Sequence, residues 1–194
     1  LLFLARADAD ALLPDLTTFD LRTWLCEHLA GRQHHPRTND VHLDLTHCDE
    51  CRVEVQGALL AHLIDNLLDN ACKYSAPGSE IVLRVKAEPR GVVLSIEDRG
   101  CGIADDELPH VFEPFYRSPR AREAGLSGTG LGLAVAARIA TAMGGHVDVE
   151  SQLGQGSCFR LYLPRADPGL RNRSRKRSSY SLNTPRRSNS RLSS

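Results

Sequence analysis

A chain of 194 residues with 41% hydrophobic and 25% charged side chains can bury one principal core, which excludes wholesale disorder and collagen-like or mucin-like composition. No apolar run reaches the roughly 18 residues that a membrane span needs; the opening Leu1-Leu2-Phe3-Leu4-Ala5 stops at Arg6. The formal net charge of zero conceals an asymmetry, because nine of the 24 basic residues and one of the 24 acidic ones lie from Arg165 onward, leaving 15 against 23 before it. Leu1 to about Asp10 is apolar at helical spacing and reads as the end of a longer helix. With no charged n-region or small-residue cleavage site, it is expected to be a fragment edge and not a signal peptide.

The folded body is expected over residues 11–164. Asp20 can cap a helix whose face carries Leu21, Trp24, Leu25, His28 and Leu29 and which ends near Gly31. Val41–Leu45 and Arg52–Val55 alternate with period two and suggest a hairpin. From Ala58 to Tyr74 the residues Leu60, Leu63, Ile64, Leu67, Leu68 and Ala71 form one helical stripe, stopped by Pro77-Gly78. Strands are predicted over Glu80–Ala87 and Val92–Asp98, then a short helical piece, then an irregular segment from Phe112 to Gly130. A helix over Leu131–Met143 ends at Gly144-Gly145, and a last hairpin pairs His146–Ser151 with Ser157–Leu163. Hairpins on one side and amphipathic helices on the other imply an α+β fold, a two-layer α/β sandwich whose mixed sheet is covered by helices on one face.

Residues 165–194 form a basic tail with eight serines and almost no large apolar side chain, which is expected to be disordered. Its charge would attract RNA or anionic lipid only weakly, and nothing in it marks a specific nucleic-acid partner. The six cysteines are scattered, which favours a reducing compartment. Cys48-Asp49-Glu50-Cys51 beside His47 lacks a second ligand pair, so a turn between two short strands explains it better than a metal site.

Three groups of residues point to chemistry. Asn66, Asn70 and Lys73 are four and three residues apart and fall within an arc of roughly 60° beside the apolar stripe. Amide oxygens suit a hard cation such as Mg²⁺, and a lysine supplies a point charge for phosphate. Asp98 shares the strand parity of Val92, Leu94 and Ile96, so a carboxylate is aimed where the core residues point, and such a group needs a partner. Gly100 and Gly102 directly after it permit close backbone approach. Finally, Gly128-Thr129-Gly130-Leu131-Gly132-Leu133 runs straight into a helix, whose N-terminal N–H groups can bind anions. The strip has neither the lysine of a Walker A loop nor the spacing and preceding strand of a dinucleotide fingerprint.

Taken in order, Asn66–Tyr74, Asp98–Ile103, Phe112–Arg117, Gly128–Leu133 and the turn Gly154-Gln155-Gly156-Ser157 closely resemble the N, G1, F and G2 boxes and the final Gly-rich box of bacterial sensor histidine kinases. The resemblance covers roughly residues 59–164. It implies a Bergerat ATP-binding fold with ATP and Mg²⁺ as cofactors. Asp98 would accept from the adenine amino group with Ser157 helping through water, and Asn70 would ligate Mg²⁺. Asn66 and Lys73 would serve the transfer, Lys73 and Tyr74 would touch phosphate or ribose, and Gly100, Gly102 and Ile103 would flank the base. The stretch from Arg117 to Gly130 would be a mobile lid in which Arg117, Arg120 or Arg122 meets phosphate, and the strip from Gly128 through Thr129, Gly130, Leu131, Gly132 and Leu133 would border the nucleotide.

Gyrase-like and chaperone ATPases, similar in these boxes, carry a general-base Glu four residues before the metal-binding Asn, where this chain has Asn66. An amide cannot take a proton from water, which fits phosphotransfer to histidine better than hydrolysis. None of the eight histidines lies in the His-Glu-x-Arg/Lys-Thr-Pro context of the family's acceptor. Residues 1–9 resemble the last turns of the dimerisation hairpin that would carry it, so the acceptor is expected upstream. The resemblance further implies the phosphoacceptor domain of the same, homodimeric kinase and a response regulator as partners. It implies a cytoplasmic location, with any membrane attachment made by upstream segments. A serine-directed anti-sigma-type kinase of the same fold, or a nucleotide-binding docking module, would be the alternatives.

Overall fold

Asp20 caps the first helix as its place before an apolar stripe predicts. Its carboxylate accepts the Arg22 N–H at 3.0 Å, and α1 (Leu21–Gly31) follows with Leu21 and Leu25 fully buried. The computed structural model describes residues 16–48, 50–89 and 91–166. The helix end expected over residues 1–10 lies outside them, as does the expected tail, apart from Arg165 and Ala166. Those two continue the folded body past residue 164: Val53 and Arg165 form an antiparallel bridge, and the Ala166 N–H donates to the Arg52 carbonyl at 3.0 Å.

The long helix α2 (Gly57–Tyr74) buries the predicted stripe of Leu60, Leu63, Ile64, Leu67, Leu68 and Ala71. Each such large aliphatic side chain withdrawn from water contributes roughly 1.5–3 kcal/mol. Behind the helix stand β2 (Val41–His47), β4 (Ile81–Glu88), β5 (Gly91–Asp98), β6 (His146–Gln152) and β7 (Gly156–Pro164), in the order β2-β4-β5-β7-β6. β2 is parallel to β4 and the other pairs are antiparallel. Ile81, Leu83, Leu94, Ile96 and Leu161 are fully buried on the side of α2 and of α4 (Gly132–Ala142). The opposite face is charged, with Arg84 paired to Asp44 and Glu97 and Arg160 paired to Glu150. An antiparallel sheet can leave one face to water in this way, and the result is the predicted α+β two-layer sandwich with a mixed sheet covered on one face.

Three expectations differ from the structure. Val41–Leu45 and Arg52–Val55 do not form a hairpin. β3 (Arg52–Val55) pairs instead with β1 (Thr17–Asp20), a strand absent from the sequence reading, in a separate two-stranded sheet. β2 returns through α2 to lie parallel to β4, because parallel neighbours need a long crossover and a helix supplies it. The link between β2 and β3 holds Cys48 and Cys51, both buried and joined as a disulfide with Cα atoms 5.6 Å apart, where the sequence reading placed an ordinary turn. The segment from Phe112 to Gly130, expected to be irregular, contains the short helix α3 (Pro119–Glu123), which Ser118 caps by accepting the Ala121 N–H at 3.2 Å. Phe115, at a φ of +66°, closes the base of that segment by donating its N–H to the Gly130 carbonyl at 2.9 Å.

Candidate functional site

The end of β5 delivers Asp98 to the helix-covered side of the sheet, as its parity with Ile96 requires, and leaves it 4% exposed. Its carboxylate accepts the Gly100 N–H at 2.8 Å and also the backbone N–H of Ser157 from β7. Burial pushes the Asp98 carboxyl above the usual range, while those two N–H groups and the more distant Arg37 charge pull it back. Gly100 has to be glycine here: a Cβ would stand 2.4 Å from the Tyr74 carbonyl oxygen and 2.6 Å from Asp98 Oδ1.

Asp98 sits in a cavity of about 310 Å³ between α2, the sheet and the 112–130 segment, within the size range of small-molecule sites. The last two turns of α2 contribute Asn70, Lys73 and Tyr74 to its wall, and the ammonium of Lys73 lies 4.9 Å from the centre of the Tyr74 ring. Ile103, Val111, Leu133 and Phe159 make an apolar side, and Tyr116, Arg117 and Arg120 reach in from the opposite segment. Arg117 donates through Nη2 to the Leu126 carbonyl, while its buried Nε has no hydrogen-bond partner. With Lys73, Arg117 and Arg120 all on its wall, the cavity carries positive charge suited to an anion.

At the base of the cavity Ser157 is 8% exposed, and its hydroxyl meets that of Ser151 at 3.0 Å. Ser151 also accepts the Ile103 N–H at 2.8 Å and donates to the Gly156 carbonyl at 2.7 Å. The turn after Asp98 is held from both sides: Cys101 donates its N–H to the Tyr74 carbonyl at 3.1 Å and accepts from Gly154 at 2.7 Å. Gly102, at a φ of +66°, passes so close to β6 that a Cβ would lie 2.0 Å from the Gln152 oxygen.

Of the residues singled out from sequence, Asn70, Lys73, Tyr74, Asp98, Gly102, Ile103, Arg117, Arg120, Leu133 and Ser157 line the one cavity. The others stand behind or beside it. Asn66 donates through Nδ2 to the His62 carbonyl at 3.0 Å and turns its oxygen toward Gly132, whose added Cβ would lie 3.2 Å away. Gly128 is beside Lys73, Gly130 is against Phe115 and Tyr116, and Thr129 and Leu131 are not among the lining residues. Leu131 occupies the N-cap of α4 with no side-chain bond to the helix, so the first N–H groups there are not capped by a side chain.

Sequence reasoning missed Ser151, Tyr116, Val111 and Phe159. Phe159 carried a readable signal, its parity with Leu161 and Leu163. Tyr116 lies within the Phe112–Arg117 box but was not singled out, and Ser151 carried no signal, since its place depends on how β6 folds back.

With that geometry in view, the family described as histidine kinase-, DNA gyrase B-, and HSP90-like ATPase matches residues 55–167. The sensor protein SrrB of Staphylococcus aureus is 41% identical over 105 residues, 54% of this chain and 18% of that protein. The chain therefore spans less than a fifth of the length of these curated relatives. The mycobacterial sensor histidine kinase MprB superposes with a TM-score of 0.64 at 28% identity over 79% of this chain and 100% of that one. Full-length ShkA, solved in complex with AMPPNP, superposes with a TM-score of 0.67 at 26% identity over 84% of this chain and 35% of that one. The chain belongs to the histidine kinase-, DNA gyrase B- and HSP90-like ATPase family, and its domain is the ATP-binding domain of the sensor histidine kinase type.

Proposed function

We propose that this domain binds Mg·ATP and passes the γ-phosphoryl group to a histidine on the dimerisation domain of its own kinase, for relay to a response-regulator aspartate. The observation that carries the reading is the lining of one cavity. It brings together a buried acceptor, Asp98, and two cations suited to phosphate, Lys73 and Arg117. Asp98 discriminates adenine from guanine because guanine presents a carbonyl oxygen where the carboxylate needs a donor.

The amide of Asn70 lies on the cavity wall and makes no hydrogen bond to another described residue. Its oxygen is the hard, neutral donor that Mg²⁺ accepts alongside water and phosphate oxygens, so the residues present fit that ion. When bound, Mg²⁺ offsets charge on the phosphates. Lys73 draws the terminal phosphate toward α2 by point charge, and Tyr74 beneath it limits where its ammonium can swing. Asn66, an amide braced on His62 and facing Gly132, cannot take a proton from water, so the site holds the phosphoryl group without activating its hydrolysis. A neutral imidazole nitrogen attacks the γ-phosphorus, the bond from phosphorus to the β,γ-bridging oxygen breaks, and ADP leaves with that electron pair.

The test supplies radiolabelled ATP and a separately produced dimerisation hairpin. Acid-labile label on the hairpin histidine, with the chain alone unlabelled, supports the reading. Acid-stable label on a serine would move the chain to the anti-sigma type of kinase, and nucleotide binding without any transfer would make it a docking module. Cytoplasmic location follows from the same reading, since ATP and the response regulator are found there. Among the described residues no helix is long and apolar enough to cross a membrane.

A further inference from the structure

The hydroxyl protons at the base of the cavity can be assigned by counting. A serine hydroxyl has one proton to give and two lone pairs. Ser151 gives its proton to the Gly156 carbonyl at 2.7 Å and receives the Ile103 N–H at 2.8 Å. One lone pair remains, and it faces Ser157 Oγ at 3.0 Å. With the Ser151 proton already committed, Ser157 has to be the donor in that contact. The proton of Ser157 therefore points away from the cavity toward β6, and both of its own lone pairs are left on the cavity side. Asp98, across the strand pair from Ser157, keeps the rest of its carboxylate acceptors as well.

We propose that Ser151, which does not line the cavity, is a positioning residue that sets purine specificity: it draws the Ser157 proton outward, so the cavity presents only acceptors to the 6-position of the base. The inference rests on the adenine end of the cavity being at Asp98. A 6-amino group, directly or through a water, then meets an acceptor on both strands. A 6-carbonyl group meets two acceptors and no donor. Without Ser151 the Ser157 hydroxyl is free to rotate and offer its proton to the cavity, and the discrimination weakens. The Ile103 N–H would lose its acceptor in the same step.

The experiment measures binding of ATP and of ITP, which carries a carbonyl in place of the amino group, to the whole chain and to its Ser151→Ala and Ser151→Thr variants. Wild type is expected to prefer ATP. Ser151→Ala should weaken ATP about tenfold while ITP changes little or improves, so that the ATP/ITP ratio falls about tenfold. Ser151→Thr keeps the hydroxyl and should restore the ratio. Equal weakening of both nucleotides, or an unchanged ratio, would overturn the proposal, because a purely structural serine affects the two alike. Asp98→Asn serves as the control for the site itself: if it binds ATP and ITP as wild type does, the adenine reading fails, whatever Ser151 does. The proton direction has its own test in a neutron structure of the nucleotide-free protein. A deuteron of Ser157 lying between the two serine oxygens supports the assignment, and one pointing into the cavity overturns it.

Discussion

Asp98 and Ser157 are register partners in the antiparallel β5–β7 pair, and the backbone N–H of Ser157 bonds to the Asp98 carboxylate. The sheet itself thus fixes the acceptor, and its position does not depend on a loop. Replacing one carboxylate oxygen by an NH2 group in Asp98→Asn turns part of that acceptor into a donor facing other donors. The expected loss is roughly 1–3 kcal/mol, or about ten- to a hundredfold in ATP affinity, read by calorimetric titration. Unchanged binding would remove Asp98 from the nucleotide site.

The raised pKa of Asp98 gives a pH dependence with a definite sign. Burial disfavours its ionised form, so its contribution to stability is fully present below the unfolded carboxylate value of about 3.9 and is lost as pH rises through the higher folded value. Nucleotide binding responds in the other direction, since the adenine amino group is held best by the ionised acceptor. Affinity should fall on acidification through the raised Asp98 value, above the range where ordinary carboxylates titrate, and binding there should release a proton. Titrations in two buffers of different ionisation enthalpy measure that release. Asp98→Asn should show none, and a wild type with a flat profile would contradict the assignment.

Two glycines around the cavity should fail in different ways when given a methyl group. At Gly100 the added Cβ meets the Tyr74 backbone oxygen at 2.4 Å, so Gly100→Ala has to displace backbone and should both destabilise the fold and weaken nucleotide binding. At Gly128, whose φ is +143°, the contact at 2.8 Å is with the flexible ammonium end of Lys73. Gly128→Ala should therefore cost about 1–3 kcal/mol of backbone strain, push Lys73 aside and weaken ATP more than adenosine. Thermal melts read the first difference and paired titrations with ATP and adenosine the second. Equal behaviour of the two variants would mean that Gly128 and Lys73 are not coupled.

The sequence made some of this legible and hid the rest for identifiable reasons. The stripe from Leu60 to Ala71 and the parity of Asp98 with Ile96 are local periodicities, and a period determines which side chains share a face whatever the rest of the chain does. Partner choice is not local. Val41–His47 and Arg52–Val55 both alternate, but alternation says nothing about which edge a strand will find. The four residues from Cys48 to Cys51 look like a turn in either case. Thr17-Thr18-Phe19-Asp20 is too short and too polar to announce a strand, and it exists because β3 needs an edge partner. The cavity shows the same division. Asn70 and Lys73 were readable from one helix face and Tyr74 from the family resemblance, whereas Ser151 acquires its role only when β6 lies beside β7.

Arg37 ties these elements to stability. Its guanidinium, 10% exposed, donates from Nη1 to the Cys72 carbonyl at 2.5 Å and to the carbonyl and hydroxyl of Ser75 at 2.9 and 3.0 Å. From Nη2 it reaches the Ala76 and Ser79 carbonyls at 2.8 and 3.2 Å, and from Nε it pairs with Asp40 at 2.6 Å. A helix ends with four carbonyls that have no intrahelical partner. In α2 the Ala71 carbonyl is met by Ser75, that of Cys72 by Arg37 and that of Tyr74 by Cys101. One planar fork on a preceding loop thus fastens the helix that carries Lys73 and Tyr74. Arg37→Ala would strand several part-buried acceptors and the Asp40 carboxylate, with an expected cost of about 2–4 kcal/mol. That corresponds to a Tm lower by roughly 5–15 °C. Arg37→Lys should recover little, because a single ammonium cannot span acceptors on both sides of the turn. Denaturant melts of the three proteins decide the matter: a lysine variant as stable as wild type would show that the charge, and not the fork, holds the end of α2.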